Sequence, residues 1–466
     1  MRGLGLIFAS AFWSLATQIH GLIGPTGILP VGPYLESGAT WWNTPTVFWL
    51  GAGDRALTAV VVAGLVVSFL LTINIWPRVT VALATLLFLS CVSVLQEFSG
   101  YQSDGMLLEA GTIAIFLAPR GIRPGLGADD PPMRIAVFML LWEWFRIYFE
   151  SGVVKLLSGD VQWRTLTALD HYYENNPLPT WIGWYVQEVP PHLVQHVATL
   201  GILIIELVVP WMMFLPRRGR LVCAAIVTPM QIGIILTANY AFLNYLVLVL
   251  GLLLLDDRVF ARVGVRVPPV TVTPRARPGQ WVAAGALAIL WYTTVAVALF
   301  PSSAFGLPAR LLAPYRIANA YGLFAVMTTA RYEIEFQGTR DGVTWVAYPF
   351  RDKPQDPAEA PGIYAPYQPR FEWNLWFASL GSWRDNPWVV ATQARLLDND
   401  AGVVSLFRHN PFPGTPPAQV RTVLWQYWFT TVAERRQTGR WWNRTFLGNY
   451  AGTVARDADG RLFLTP

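Results

Sequence analysis

The sequence predicts a polytopic α-helical membrane protein that carries an extracytoplasmic domain at its C-terminal end. Of its 466 residues, 53% are hydrophobic and only 14% are charged, whereas soluble globular chains average about 25% charged residues. The mean hydropathy is +0.38, and the long apolar runs are confined to the first 300 residues. These observations exclude a soluble enzyme, a disordered scaffold and a secreted module held together by disulfides.

The N-terminal region, residues 1–300, is expected to supply about eight or nine spanning helices. Its nine apolar runs cover residues 4–22, 56–75, 79–97, 106–118, 134–152, 194–215, 221–238, 240–255 and 281–300. A helix needs ~20 apolar residues, with a range of ~17–25, to cross the hydrocarbon core, and most runs reach that length. The run 106–118 is shorter and contains Glu109, so it either crosses the membrane or forms a re-entrant segment.

Basic residues predict the orientation of these helices. The first 300 residues contain 17 Lys and Arg, and 13 of them fall in one alternating set of termini and loops. That set comprises Arg2, Arg78, Arg120, Arg123, Arg134, Arg217, Arg218, Arg220, Arg258, Arg262, Arg266, Arg275 and Arg277. The positive-inside rule assigns it to the cytoplasm. Nine spans then place the N-terminus in the cytoplasm and residues 301–466 on the opposite side of the membrane. The membrane is expected to be a bacterial plasma membrane, or the endoplasmic reticulum membrane of a eukaryote. The net charge of +5 thus reflects topology, and no nucleic-acid partner is expected.

Two long loops, residues 24–55 and 153–193, are predicted on the outer side. Long loops on one face of a helical bundle usually carry function, although their aromatic residues also suit helices anchored at the membrane interface. The second loop holds a dense set of polar and aromatic side chains just outside the bilayer. These candidate residues are Asp160, Trp163, Arg164, Tyr172, Tyr173 and Glu174.

The last 166 residues are long enough for one domain. Residues 332–336 alternate polar and apolar side chains, and the turn at Asp341-Gly342 leads into a second apolar run at 343–350, which predicts a β-hairpin. Segments 386–397 and 417–430 have the length of helices. We expect an α+β or β-sandwich-like domain, residues 301–466, that packs on the outer face of the membrane.

Motif searches give no sign of a soluble catalytic centre. The chain has no phosphate-binding loop, dinucleotide fingerprint, zinc-protease motif or nucleophile elbow. Its two cysteines lie in apolar runs and its five histidines are scattered, so no metal site is expected. An enzymatic activity is therefore less expected than a binding role.

Ionisable residues inside the apolar runs are the most informative candidates. Such groups are costly in a bilayer and are retained when they are paired or functional. Glu143, Arg146 and Glu150 are spaced i, i+3 and i+7 on one helical face. Glu109 and Glu206 lie in other spans and are expected to face the same interior. The group predicts either a hydrated membrane cavity or a structural ion-pair cluster that joins helices.

Lys155 lies five residues beyond this group, and the chain has only one other lysine. A desolvated lysine can lose its proton near neutral pH and act as a base. Lys155 is offset by about 140° from Glu150, the nearest member of this stripe, at ~100° per residue, so it either snorkels to the membrane surface or serves a function. His171, beside Asp170, is either a tuned base or a hydrogen-bonded structural residue.

Several motifs resemble the lipase maturation factor family. They are GLIGPTGILP, YQSDGMLLEAG, FESGVVKLLSGDVQWRTLTALDHYYENNPLP, NAYGLFAVMT, APYQPRFEWNLWFASL and WQYWFTT, and they extend over almost the whole chain. The resemblance implies a polytopic membrane protein whose large domain faces the lumen or the exterior. It also implies a non-enzymatic role in the folding and assembly of secreted lipases.

Under this interpretation the protein partner is an exported lipase, and membrane lipids surround the helices. No cofactor is expected. The client would contact grooves of the outer domain and be shielded there while it folds. The proposed client-binding residues are Arg370, Trp373, Trp376, Trp425, Tyr427 and Trp428.

A more distant resemblance links the membrane half to vitamin-K-dependent γ-glutamyl carboxylase. The stretch Gly152-Val153-Val154-Lys155-Leu156 is similar to that family's Gly-Val-Lys-Lys-Leu segment, and Lys155 matches its quinol-deprotonating base. This resemblance implies an alternative function, a membrane enzyme that acts on a bound quinone or lipid. Lys155 would then be the base, with Glu150 and His171 as the other catalytic residues.

Overall fold

The computed structural model of the protein describes residues 1–265, 278–300 and 304–465. Arg266, Arg275 and Arg277, three of the arginines that predict the orientation, lie outside the described residues. Residue 301, where the second domain is predicted to begin, also lies outside them. The described chain comprises a helical N-terminal region followed by a C-terminal unit that is built on one β-sheet.

Every apolar run of the N-terminal region contains a helix, as the hydropathy pattern predicts. The helices are α1 (Arg2–Ala16), α2 (Ile19–Ile23), α3 (Val31–Glu36), α4 (Asp54–Thr72), α5 (Pro77–Val92), α6 (Gln102–Leu117), α7 (Arg134–Leu157), α8 (Val161–Arg164), α9 (Ala168–Asn175), α10 (Trp181–Glu188), α11 (His192–Leu207), α12 (Arg217–Thr237), α13 (Leu243–Gly251), α14 (Asp257–Arg262) and α15 (Pro278–Leu299). The predicted class, a helical membrane protein, is confirmed.

Four segments within the described ranges are long and apolar enough to cross a membrane. They are Asp54–Thr72, His192–Phe214, Arg217–Thr237 and Gly279–Leu299. Three more apolar helices, Arg2–Ala16, Pro77–Val92 and Leu243–Leu254, are shorter. The short run at 106–118 becomes α6, which is 16 residues long, and α7 carries buried charges along its length. A total of eight or nine spans stays a prediction.

The long loop at 153–193 is mostly helical. Helix α7 continues to Leu157, and α8, α9 and α10 follow in short succession. The Asp160 carboxylate caps α8 by accepting a hydrogen bond from the Gln162 amide at 2.8 Å, and the Thr180 hydroxyl caps α10 through the Gly183 amide at 3.0 Å. These caps satisfy amide groups at the first turns of the two short helices.

The C-terminal unit combines five antiparallel strands with five short helices. The strands are β1 (Arg331–Thr339), β2 (Val346–Ala347), β3 (Gln419–Phe429), β4 (Trp442–Arg456) and β5 (Leu462–Thr465), in the spatial order β2-β1-β3-β4-β5. The helices are α16 (Leu307–Leu312), α17 (Arg370–Ser379), α18 (Trp388–Leu397), α19 (Ala401–Val404) and α20 (Val432–Thr438). The unit is therefore α+β. The β-sandwich alternative is wrong for the described residues, which form one sheet.

The sheet confirms one local prediction and corrects another. Strands β1 and β2 form the predicted hairpin, in which Gly342 has a φ of +75°, a conformation that favours glycine. The predicted helix at 386–397 is present as α18. The predicted helix at 417–430 is wrong, because this segment forms β3 between β1 and β4. Its β-branched residues Val420, Thr422 and Val423 favour a paired strand.

Helix α17 connects the sheet to the N-terminal region. On one side Phe371 packs against Phe336 of β1, with ring centroids 6.2 Å apart. On the other side Trp373 lies 5.3 Å from the ring of Tyr101, the residue that precedes α6. The hydrophobic core is consequently continuous between the two parts of the chain, and a cavity lies at their junction.

Candidate functional site

One buried charge cluster joins α6, α7 and the segment that leads into the sheet. Arg146 of α7 forms an ion pair with Glu109 of α6, and its other terminal nitrogen donates to the Asn319 carbonyl at 2.6 Å. The second Glu109 oxygen accepts from the Tyr321 hydroxyl at 2.8 Å and from the Asn319 amide at 3.1 Å. The ion pair thus attaches residues 319–321 to the helical bundle.

The two remaining carboxylates of the α7 stripe lie beside this cluster. Glu143 is fully buried one helical turn before Arg146. Glu150 accepts a hydrogen bond from the Tyr321 amide at 2.7 Å. Four of the five predicted membrane charges therefore lie around one segment. Glu206 does not lie with them, so the prediction of a single five-charge cavity is wrong.

Glu206 of α11 instead pairs with Lys155 of α7. The Lys155 ammonium donates to both Glu206 oxygens, at 2.8 and 2.7 Å. It also lies 5.1 Å from the ring centroid of Trp163 and 5.9 Å from that of Phe324. Only 1% of the Lys155 side chain is exposed, so the snorkelling alternative is wrong. Because its nitrogen already contacts both oxygens of one carboxylate, a substrate would have to compete with Glu206 for Lys155.

The Lys155–Glu206 pair lines a cavity of about 380 Å³, which we call the junction cavity. Its walls come from α7, α11, α12, α13, residues 322–327 and α17. Aromatic side chains make up much of the wall. They include Trp163, Tyr172, Tyr240, Phe324, Trp373 and Trp376. A largely apolar wall with a few polar groups is the usual form of a small-molecule site.

The polar groups of the cavity form two small sets. Tyr148, Ser151 and Lys155 recur at i, i+3 and i+7 on the cavity face of α7. Gln231 donates to the Tyr148 hydroxyl at 2.8 Å and accepts from Asn244 at 2.7 Å. Helix α7 therefore carries two polar stripes, and the sequence analysis recognised only the one that begins at Glu143.

The other candidate catalytic residues lie outside this cavity. His171 is half-buried, 3.7 Å from Glu174, and the carboxylate raises the pKa of the imidazole, which favours its protonated form. Neither His171 nor Glu150 lines the cavity beside Lys155. Because the three residues do not converge, the geometry does not support the alternative of a base acting on a bound quinone.

The outer-loop residues have mainly structural contacts. Asp160 accepts from the Met327 amide at 2.5 Å and Glu174 accepts from the Phe429 amide at 3.0 Å, so both attach the loop to the C-terminal unit. Trp163 and Tyr172 line the cavity. The set is completed by the buried Tyr173 and the exposed Arg164.

Asp170 contacts two histidines of α11. It lies 3.3 Å from His192 and 3.1 Å from His196, distances typical of hydrogen bonds. Within the described part of the chain, no group of three or more potential ligands has the arrangement of a metal site.

A second buried ion pair, Asp104–Arg370, joins α6 to α17. Both terminal nitrogens of Arg370 donate to Asp104 at 2.8 Å, and one also donates to the Phe98 carbonyl at 2.8 Å. Neither side chain of the pair is exposed. Asp104 is not among the residues predicted from the sequence, although it lies in the motif YQSDGMLLEAG and is an acidic residue beside an apolar run.

Burial divides the predicted client-binding residues into two groups. Arg370, Trp373 and Tyr427 are buried within the chain, so the prediction that they line an exposed groove is wrong. Trp376 and Trp425 are partly exposed, and 39% of Trp428 is exposed. Only this second group is accessible to a partner protein.

The helices, the sheet unit and the buried pairs between them define an integral membrane protein with a fused α+β unit. Two family models match this chain. The lipase maturation factor transmembrane domain matches residues 1–262, and the lipase maturation factor C-terminal domain matches residues 317–452. The chain belongs to the lipase maturation factor family.

Named relatives agree with this assignment along nearly the full chain. Lipase maturation factor 1 of Bos taurus is 31% identical over 98% of this chain and 88% of its own length. The Homo sapiens protein of that name is 30% identical over 97% and 86%. Lipase maturation factor 2 of Gallus gallus is 29% identical over 98% and 80%. No solved structure matches the chain.

Proposed function

We propose that this chain is a membrane-bound maturation factor that acts on exported lipases. The observation that carries the proposal is the similarity to relatives named lipase maturation factor, which covers 98% of the chain at 31% identity. Both the membrane helices and the sheet unit share in it. The proposed activity therefore belongs to the whole chain.

We place the sheet unit on the extracytoplasmic side, where exported lipases fold. The alternating distribution of arginines supports this orientation. It requires an odd number of spans, nine by the count of apolar runs, with the N-terminus in the cytoplasm. The membrane is the bacterial plasma membrane, or the endoplasmic reticulum membrane if the chain is eukaryotic.

The proposed client surface lies on β3 and β4 around the paired residues Trp425 and Phe446. Trp425 packs edge-on against Phe446 with centroids 5.2 Å apart, and Arg444 lies 4.2 Å from the Trp425 ring centroid. Phe446 and Leu447 are about half exposed, at 50% and 48%. Exposed apolar residues flanked by polar ones are typical of protein interaction sites, and they would shield apolar segments of a lipase that has not finished folding.

A photo-crosslinking experiment tests this surface. A benzophenone amino acid placed at Phe446 is expected to give an adduct with a newly exported lipase in living cells, because this side chain is half exposed beside Trp425. The matched control is Val343, which is 82% exposed in the β1–β2 turn of the same unit and should give none. Equal adducts at both positions, or no lipase adduct at Phe446, would contradict the proposed surface.

A further inference from the structure

The junction cavity borders helices that are long and apolar enough to cross the membrane. Ile202 of α11 and Met230 and Ile234 of α12 line it, and all three side chains are only partly buried. Neighbouring side chains on the same helices, such as Ile204 and Ile232, are exposed at 49% and 45%, as expected of lipid-facing residues. An apolar molecule dissolved in the bilayer can therefore approach the cavity from the side of these helices.

The charge of the cavity wall restricts the head group of such a molecule. Lys155 and Glu206 are the acidic or basic side chains among the described lining residues, and they neutralise each other at 2.7–2.8 Å. An anionic head group would have to compete with the Glu206 carboxylate for the lysine, and a cationic one with the lysine for the carboxylate. A neutral head group avoids both costs.

Trp373 supplies a hydrogen-bond donor that no protein atom uses. Its side chain lines the cavity and is 6% exposed, and its indole nitrogen has no hydrogen-bond partner among the described residues. Buried indole N–H groups usually have one. A ligand oxygen, such as an ester carbonyl, would satisfy this donor.

The size of the cavity limits the apolar part of the ligand. Sites for drug-sized molecules have volumes of roughly 300–1,000 Å³, and this cavity lies near the lower bound at about 380 Å³. That volume suits one acyl chain better than the two chains of a phospholipid.

We propose that the junction cavity binds a neutral single-chain acyl lipid of the monoacylglycerol class. The acyl chain lies against Ile202 and Ile234, and the ester carbonyl accepts the hydrogen bond of the Trp373 indole. Because residues 322–327 and α17 both form part of the wall, the bound lipid packs between the helical bundle and the sheet unit. The inference concerns binding alone and does not depend on any lipase client.

The test uses the purified full-length protein in lipid nanodiscs and a monoacylglycerol that carries a diazirine in its acyl chain and a terminal alkyne. Irradiation is expected to label peptides of α11, α12 and residues 322–327. An excess of unmodified monoacylglycerol should remove the label. Free fatty acid and phosphatidylcholine probes with the same photoreactive chain should label these peptides much less.

Substitutions then locate the lipid. Ala325 is a small, partly buried lining residue, so A325W is expected to abolish most of the labelling by filling the cavity, whereas the similar-sized A325S preserves it. L243W fills the cavity from α13 and provides a second filling variant if A325W does not fold. W373F should weaken competition by unmodified monoacylglycerol about threefold to tenfold, the loss expected for one neutral hydrogen bond, while W345F, at a tryptophan that does not line the cavity, leaves it unchanged.

Labelling that persists in folded A325W and L243W, or that spreads uniformly over all lipid-facing helices, overturns the proposed site. Equal labelling by the fatty acid or phosphatidylcholine probes overturns the assignment of a neutral single-chain ligand. These results would leave the proposed lipase function untouched, because no lipase is present in the experiment.

Discussion

R370M is expected to lower the free energy of unfolding by about 3–5 kcal/mol, the usual cost of removing one partner from a buried ion pair. The substitution leaves the Asp104 carboxylate without its two hydrogen bonds from Arg370 in a fully buried position. It also removes a donor to the Phe98 carbonyl. Chemical or thermal unfolding of the detergent-solubilised protein, followed by near-ultraviolet circular dichroism, measures the change.

Two controls test whether the loss of stability comes from leaving a buried charge unpaired. The double variant D104L/R370M removes both charges and should recover most of the lost stability, because apolar replacement of a whole buried pair is often neutral. R408M breaks the surface pair with Glu359, whose side chains are 46% and 52% exposed, and should cost about 1 kcal/mol or less. Equal losses for R370M and R408M would show that Asp104–Arg370 does not hold the two parts of the chain together.

K155M is expected to have a comparable effect, about 3–5 kcal/mol, since it leaves Glu206 buried without its cation. The Lys155 ammonium contributes both hydrogen bonds to this carboxylate. The unfolding assay used for R370M measures the loss, and the activity of a lipase in the same cells should fall in proportion to the amount of folded protein.

The double variant K155M/E206L distinguishes a lysine that only stabilises the fold from one that takes part directly in the function. If the pair is structural, the double variant regains stability and restores lipase maturation together. A double variant that is stable and abundant but does not support maturation would show that Lys155 or Glu206 takes part directly in the function, and would revive the enzymatic alternative.

Much of the helical architecture is predictable from local composition. The nine apolar runs become helices because a helix satisfies the backbone hydrogen bonds of an apolar segment internally, and the i, i+3, i+7 spacing of Glu143, Arg146 and Glu150 places them on one face. The β1–β2 hairpin is equally local, since Asp341 and Gly342 provide the turn.

The partners of the buried charges depend on contacts between distant segments. Arg370 looked like a surface residue because its partner Asp104 lies 266 positions away in the sequence. Lys155 gave two alternatives for the same reason, since Glu206 is 51 positions distant and on another helix. The helix predicted at 417–430 is wrong for a different reason, because the β-branched and aromatic residues of β3 already favour a strand, which pairing with β1 and β4 completes.

The most direct test of the proposed function is the activity of an exported lipase per unit of lipase protein in cells that lack this chain. Loss of the chain is expected to lower this specific activity, and re-expression of the wild-type chain should restore it. The folded double variant D104L/R370M should restore it as well. An unchanged specific activity in the absence of the chain, for every exported lipase of the cell, would contradict the assignment as a lipase maturation factor.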